Sequence, residues 1–148
     1  LKAERGTALY DSLIFGLYYL SAVKGQRALL VLSDGKDESS RFSFDDSLDY
    51  ARRTGIAIYS IGLGLGRGER DARKKLIRFS AETGGVAFFI DSVDQLDAIY
   101  DQILEELRSK YYLAYQSSNT VASEKFRTVD VKVQRPGAEA KTLRGYYP

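Results

Sequence analysis

Three short apolar runs, Ala28–Leu32, Ile56–Ile61 and Val86–Ile90, most constrain what this chain can fold into. None alternates between apolar and polar residues, so none offers a face to water. Such runs mark parallel strands covered on both sides. Parallel strands cannot be joined by a tight turn and need crossovers, usually helical.

The segments between and around the runs read as helices. Thr7 to Ala22 opens with Thr7 as N-cap and Asp11 near the first turn, and Gly25 suits its end. Leu9, Leu13, Leu17 and Leu20 make one stripe, and Tyr10, Ile14 and Tyr18 make a second beside it. A helix this apolar calls for cover on more than one side. Ser43 with Asp46 forms a short-armed capping box for a helix that stops at Thr54–Gly55. A helix from Arg70 to Glu82 turns Ala72, Leu76 and Phe79 inward and closes at Thr83-Gly84-Gly85. Ser92 with Gln95 caps the last one, in which Leu96, Ile99, Tyr100, Ile103 and Leu107 fall at helical spacing. The alternation predicts an α/β fold: a parallel sheet flanked by helices.

After Lys110 the pattern changes. Tyr111–Tyr115, Phe126–Val133 and Thr142–Tyr147 are rich in β-formers, and the turn signals Ser117-Ser118-Asn119 and Arg135-Pro136-Gly137 separate them. Val129, Val131 and Val133 alternate with Asp130, Lys132 and Gln134. The expected division is residues 1–109 for the α/β part and 110–148 for a small antiparallel β appendage. Cross-strand aromatic pairing accounts for the tyrosines of that tail.

Charge and composition narrow the chemistry. Lys plus Arg number 22 against 20 for Asp plus Glu, too even a balance to call for a nucleic-acid partner. No apolar run reaches membrane-spanning length. The chain has no Cys and no His, which removes disulfides, ordinary zinc sites and His-based acid–base catalysis from these residues. Ser33, Ser39 and Ser40 have no such base to activate them as nucleophiles. It begins at Leu1 and holds no Met, so further chain is expected upstream.

Asp34 stands at the tip of the first apolar run, followed by Gly35. Asp-Gly there is by itself a turn signal. It is also where ligands bind in open parallel sheets, beyond the carboxyl ends of the strands. Its company points further. Gly6-Thr-Ala-Leu-Tyr-Asp11 opening a helix, Ala28-Leu-Leu-Val-Leu-Ser-Asp-Gly35, Ile58-Tyr-Ser-Ile-Gly-Leu-Gly64 and Thr83-Gly-Gly85 before a strand together resemble the von Willebrand factor A domain. The resemblance covers Gly6 to Arg108 and the second half of such a domain, and the tail resembles bacterial relatives of unassigned role. It implies a metal-ion-dependent adhesion site holding Mg²⁺, with Thr7 as a direct ligand and Asp34 as a direct or water-mediated one. Ser33 and Asp37 would shape the loop. It further implies a non-enzymatic module, extracytoplasmic or secreted, whose protein partner presents a carboxylate to the ion. The family's Asp-x-Ser-x-Ser loop does not occur here, so its strand is expected upstream of Leu1. Without that strand, Ala28–Leu32 becomes an unpaired sheet edge, and Leu13, Ile14, Leu17 and Tyr18 are expected to be partly bare. Upstream chain or a second copy would then complete the sheet.

Two other readings stay open. Gly62-Leu-Gly-Leu-Gly-Arg-Gly68 follows a strand and precedes a helix, as a phosphate loop would, although neither the Gly-x-Gly-x-x-Gly spacing nor a following Gly-Lys-Ser/Thr is present. The chain could thus be a nucleotide-binding or hydrolytic α/β domain, or a structural assembly element with a non-functional metal site. Arg67, Arg70, Arg73, Lys74, Lys75 and Arg78 read as a solvated helix face.

Overall fold

The computed structural model describes residues 6–66, 68–118 and 125–148; Arg67 and Asn119 lie outside them. Its centre is a parallel sheet of β1 (Ala28–Ser33), β2 (Ala57–Leu63) and β3 (Ala87–Ile90) in that spatial order. Leu30 stands opposite Tyr59 and Ser33 opposite Gly62, and Gly62 faces Phe89 on the far side. Helices α1 (Leu9–Ser21), α2 (Phe44–Thr54), α3 (Arg70–Thr83) and α4 (Leu96–Arg108) supply the crossovers and the layers. A two-residue antiparallel ladder, β4 (Arg127–Thr128) with β5 (Gly145–Tyr146), lies in the tail.

The pleat of β2 divides the core. Ile58 joins Leu9, Leu13, Leu17, Leu48 and Phe79 on the side of α1, α2 and α3. Tyr59 and Ile61 join Ile90 and Ile103 on the side of α4. Period-two alternation on a strand buried on both faces yields two apolar cores, one per face. On the three-helix side Phe44 meets Tyr10 and Phe79 edge to face, with centroids 6.0 and 4.9 Å apart, and Tyr10 lies tilted against Phe79. Buried hydroxyls fix α3 on β2. The Ile58 N–H lies beyond the start of β3 and donates instead to Thr83 Oγ1 at 2.9 Å, while Ser80 Oγ donates to Ser60 Oγ at 3.0 Å. Gly85 follows, so close to the Ile58 carbonyl that a β-carbon would sit 2.0 Å from its oxygen.

Local signals appear where the residues placed them. Ser43 and Asp46 form the reciprocal capping box, Ser92 and Gln95 form another, and Gly55 and Gly84 are left-handed C-caps. Other expectations need correction. The N-cap of α1 is Ala8, which offers no side-chain bond, because Thr7 is drawn into the neighbouring loop. Leu13 and Leu17 are buried by α2 and β2, whereas Tyr18, with Phe15, is bare. Strand β1 is covered on one face: Leu29 and Val31 pack inward, while Leu30 and Leu32 are 41% and 48% exposed. The cause is topological, since α4 lies over β2 and β3 and its cluster takes in β1 only at Ala28. Of the three tail runs, 111–115 forms no ladder, and Tyr111, Tyr112 and Leu113 are exposed. The basic face of α3 is more than solvated: Arg73, Lys75 and Arg78 lie over the rings of Phe89, Tyr10 and Phe44.

Among the described residues β1 pairs with β2 alone, so its outer backbone edge is open beside Leu30 and Leu32. Bare edges next to apolar side chains template association. Light scattering should show concentration-dependent self-association of these 148 residues, reduced by Leu32→Lys. A stable monomer at all concentrations would show that the edge is inert.

Candidate functional site

Three loops meet at the carboxyl end of the sheet: residues 6–8 before α1, 34–43 after β1 and, after β2, residues 64–66 with 68 and 69. Backbone and carboxylate bonds bind the first two together. The Thr7 carbonyl accepts the N–H groups of Glu38 and Ser39, at 2.8 and 3.2 Å. The Asp37 carboxylate accepts the Tyr10 N–H at 3.2 Å and bonds the Ser40 hydroxyl. It does from another loop what Ala8 cannot do in place, satisfying a free N–H in the first turn of α1. In return, Asp11 on α1 accepts the N–H groups of Arg41 and Phe42, at 3.0 and 3.1 Å. Two carboxylates therefore cross-pin loop and helix.

Asp34 is not consumed by this clamp. One of its oxygens accepts the Lys36 N–H at 3.1 Å, and Ser33 Oγ accepts the Gly35 N–H at 3.0 Å. The turn chemistry legible in Asp-Gly is thus realised. Gly35, at φ 72°, is buried so close to Ala72 that a β-carbon would lie 2.9 Å from the alanine's own. The carboxylate of Asp34 remains exposed at the rim. Thr7 is exposed too, and its hydroxyl makes no hydrogen bond among the described residues. The fold thus puts Thr7 and Asp34 on adjoining loops at one end of the sheet. Ser33 and Asp37 both act on the 33–43 loop, Asp37 as the anchor of α1.

The third loop is tied down as well. Glu69 accepts the Gly66 N–H at 3.1 Å and pairs with Lys36 at 2.8 Å, and Arg73 donates to the Leu65 carbonyl at 3.1 Å. The Lys36 bond and the Gly66 N–H hold the Glu69 carboxyl below its ordinary value. A carboxylate thus already engages a backbone N–H where a phosphate would have to lie, against the charge preference of a phosphate loop.

As a metal site the rim is incomplete. Thr7 and Asp34 supply two side-chain oxygens, whereas Mg²⁺ takes about six in an octahedron. No cluster of three or more His, Cys, Asp or Glu suited to an ion occurs among the described residues. The two oxygens fit the hard-ligand chemistry of that ion but do not by themselves make a site for it.

At the opposite end of the sheet the tail is anchored across both layers. Tyr147 donates its hydroxyl to Asp49 of α2, Arg53 lies 4.0 Å over the Tyr147 ring, and Lys141 pairs with Glu106 of α4. Tyr115 and Tyr146 meet edge to face. Sequence reasoning missed these anchors because their partners lie 35 and 98 residues apart in the chain.

Comparison with known proteins bears on the fold. The chain is 28% identical to integrin alpha-X of Homo sapiens over 113 residues, 76% of this chain and 9% of the integrin. Its fold matches that of the conserved hypothetical protein BatB from Bacteroides thetaiotaomicron, with a TM-score of 0.54 and 12% identity. The match covers 74% of this chain and 63% of BatB. It thus spans less than two thirds of either relative. No family model matches the chain.

The clamp predicts an acid-sensitive structure. Burial opposes ionisation of Asp37, but the Ser40 hydroxyl and the N–H groups of Tyr10, Ser40 and Leu9 outweigh it. They hold the carboxyl below the ordinary 3.8. A lowered folded value means that the stabilisation is complete above about pH 5 and is lost as pH falls through the folded value. Asp37→Ala should lower stability by about 1–2 kcal/mol in urea unfolding at pH 7, the cost of losing a helix cap. Asp37→Asn should flatten the loss of stability below pH 4 by about the same order. An unchanged midpoint in both would show the clamp to be dispensable.

Proposed function

The chain has a von Willebrand factor A-like α/β fold, and from this premise we propose that it is a non-enzymatic protein-binding module that engages its partner at the carboxyl end of the sheet. The observation that carries the reading is the division of work among the acids there. Asp11 and Asp37 are spent on the clamp and Glu69 on its loop, while Asp34 keeps an exposed carboxylate beside the free hydroxyl of Thr7. A fold needs the first three; it has no use for the last beyond its turn. In this proposal Thr7 and Asp34 are part of the shell of a Mg²⁺ ion whose other ligands come from outside these residues. A shell with few carboxylates leaves the ion able to accept one from a partner. The lack of any His or Cys supports the non-enzymatic reading, since it leaves the serines without an imidazole base and removes the thiol nucleophile. The 64–69 loop, closed on itself by Glu69, gives no support to a nucleotide site.

Calorimetry of these residues with Mg²⁺ should give no micromolar binding, because two oxygens cannot hold the ion. In the longer protein that carries them, Asp34→Asn should abolish Mg²⁺-dependent capture of a glutamate-bearing peptide. The same change should shift stability by less than about 0.5 kcal/mol, since asparagine preserves the turn bond to Lys36. A large loss of stability would instead make Asp34 a structural residue and remove the proposal's main support.

A further inference from the structure

We infer that the groove between α1 and the 41–44 turn is a docking surface for a protein segment that presents apolar side chains beside a single carboxylate. The groove encloses about 500 Å³ and is lined by Ile14, Phe15, Tyr18, Phe42 and Tyr50, with Arg41 among them. Phe15 and Tyr18 are 65% exposed and Phe42 is 50% exposed, an unusual outlay of aromatic surface toward water. The wall that carries Arg41 and Phe42 is fixed in place: both backbone N–H groups are held by the Asp11 carboxylate from α1 itself. The two sides of the groove are therefore bound to each other, and little ordering remains for a ligand to impose.

Charge selects the occupant. The guanidinium of Arg41 forms no ion pair or hydrogen bond among the described residues. Most acids near it in the chain are already answered: Asp11 by backbone N–H groups, Asp45 by Arg78, Asp46 by Ser43 and Asp49 by Arg53 and Tyr147. Glu38, the exception, is exposed and forms no ion pair with Arg41. One unanswered cation beside aromatic rings suits one carboxylate next to apolar side chains, and aromatics with arginine are the residues that dominate the centres of protein interfaces. A phosphate backbone or an anionic membrane needs clustered cations and would meet here a single arginine, with Asp11 also in the lining. This surface is independent of any ion at the sheet's carboxyl end.

The test uses fluorescein-labelled peptides in pairs, apolar twelve-residue sequences rich in Leu and Phe that carry one central Glu or the matching Gln. Anisotropy is read in EDTA at protein concentrations below self-association. The Glu member should bind about fivefold more tightly than its Gln partner, the worth of one partly exposed ion pair. Arg41→Gln should erase that difference, and Phe15→Ser should weaken both members. Phe15 and Arg41 are exposed, so circular dichroism should show both variants folded. Equal binding of Glu and Gln members, or binding unmoved by Phe15→Ser, would overturn the inference. So would binding of phosphatidylserine vesicles that Arg41→Gln abolishes, which would make the surface a membrane contact. Self-association lost on Phe15→Ser would assign the groove to a second copy instead, and peptide binding lost when upstream chain is present would assign it to that chain.

Discussion

Burial of β2 on both faces is the constraint on which the rest of this structure depends. A strand with Ile58 on one side and Tyr59 and Ile61 on the other must have helices on both. Parallel neighbours then follow, because the helices that cover it are also its crossovers. The same requirement explains the buried hydroxyls of α3. Where β3 is too short to receive the Ile58 N–H, a buried donor would be stranded at a cost of about 1–3 kcal/mol. Thr83 takes it, and α3 is thereby fixed in register with the sheet.

Parallel strands send all their outgoing loops to one end, and that is where Thr7, Asp34 and the clamp of Asp11 and Asp37 lie. The loops there are held by carboxylates used structurally, which makes the end rigid without a large core beneath it. The clamp of Asp11 and Asp37 has a second consequence. It fixes the 41–44 turn against α1 and so creates the aromatic groove on the flank of the same helix. One pair of charge-assisted bonds thus shapes both the rim that presents Asp34 and the surface that presents Arg41.

The other end of the molecule is closed by cations and rings rather than by a sheet. Arg52 and Arg53 of α2 lie over Phe126 and Tyr147 of the tail. Elsewhere in the domain Arg73, Lys75 and Arg78 of α3 cover aromatic rings in the same way. Long basic side chains cover apolar rings with their stems while their charges stay wet. Burial and the Glu106 carboxylate push the Tyr59 phenol up to about 12, with Lys110 lying over its ring.

What the sequence determined by itself was whatever depends on residues close together in the chain. The capping boxes of Ser43 and Ser92, the left-handed Gly55 and Gly84 and the turn at Asp34 are all legible from local pattern. Each is decided by bonds spanning a few residues, and the same pattern carried the resemblance that the fold upholds. Tertiary structure decided the remainder. Whether Leu30 and Leu32 are buried depends on where α4 lies, not on their own apolar character. Thr7 has the identity of an N-cap, yet its carbonyl is taken by residues 38 and 39, and the cap comes from Asp37 instead. Several acids near the rim look alike in sequence. Contacts 27 to 31 residues away separate Asp11 and Asp37, which hold the fold, from Asp34, which keeps only its turn bond, and no local pattern encodes a partner at that distance.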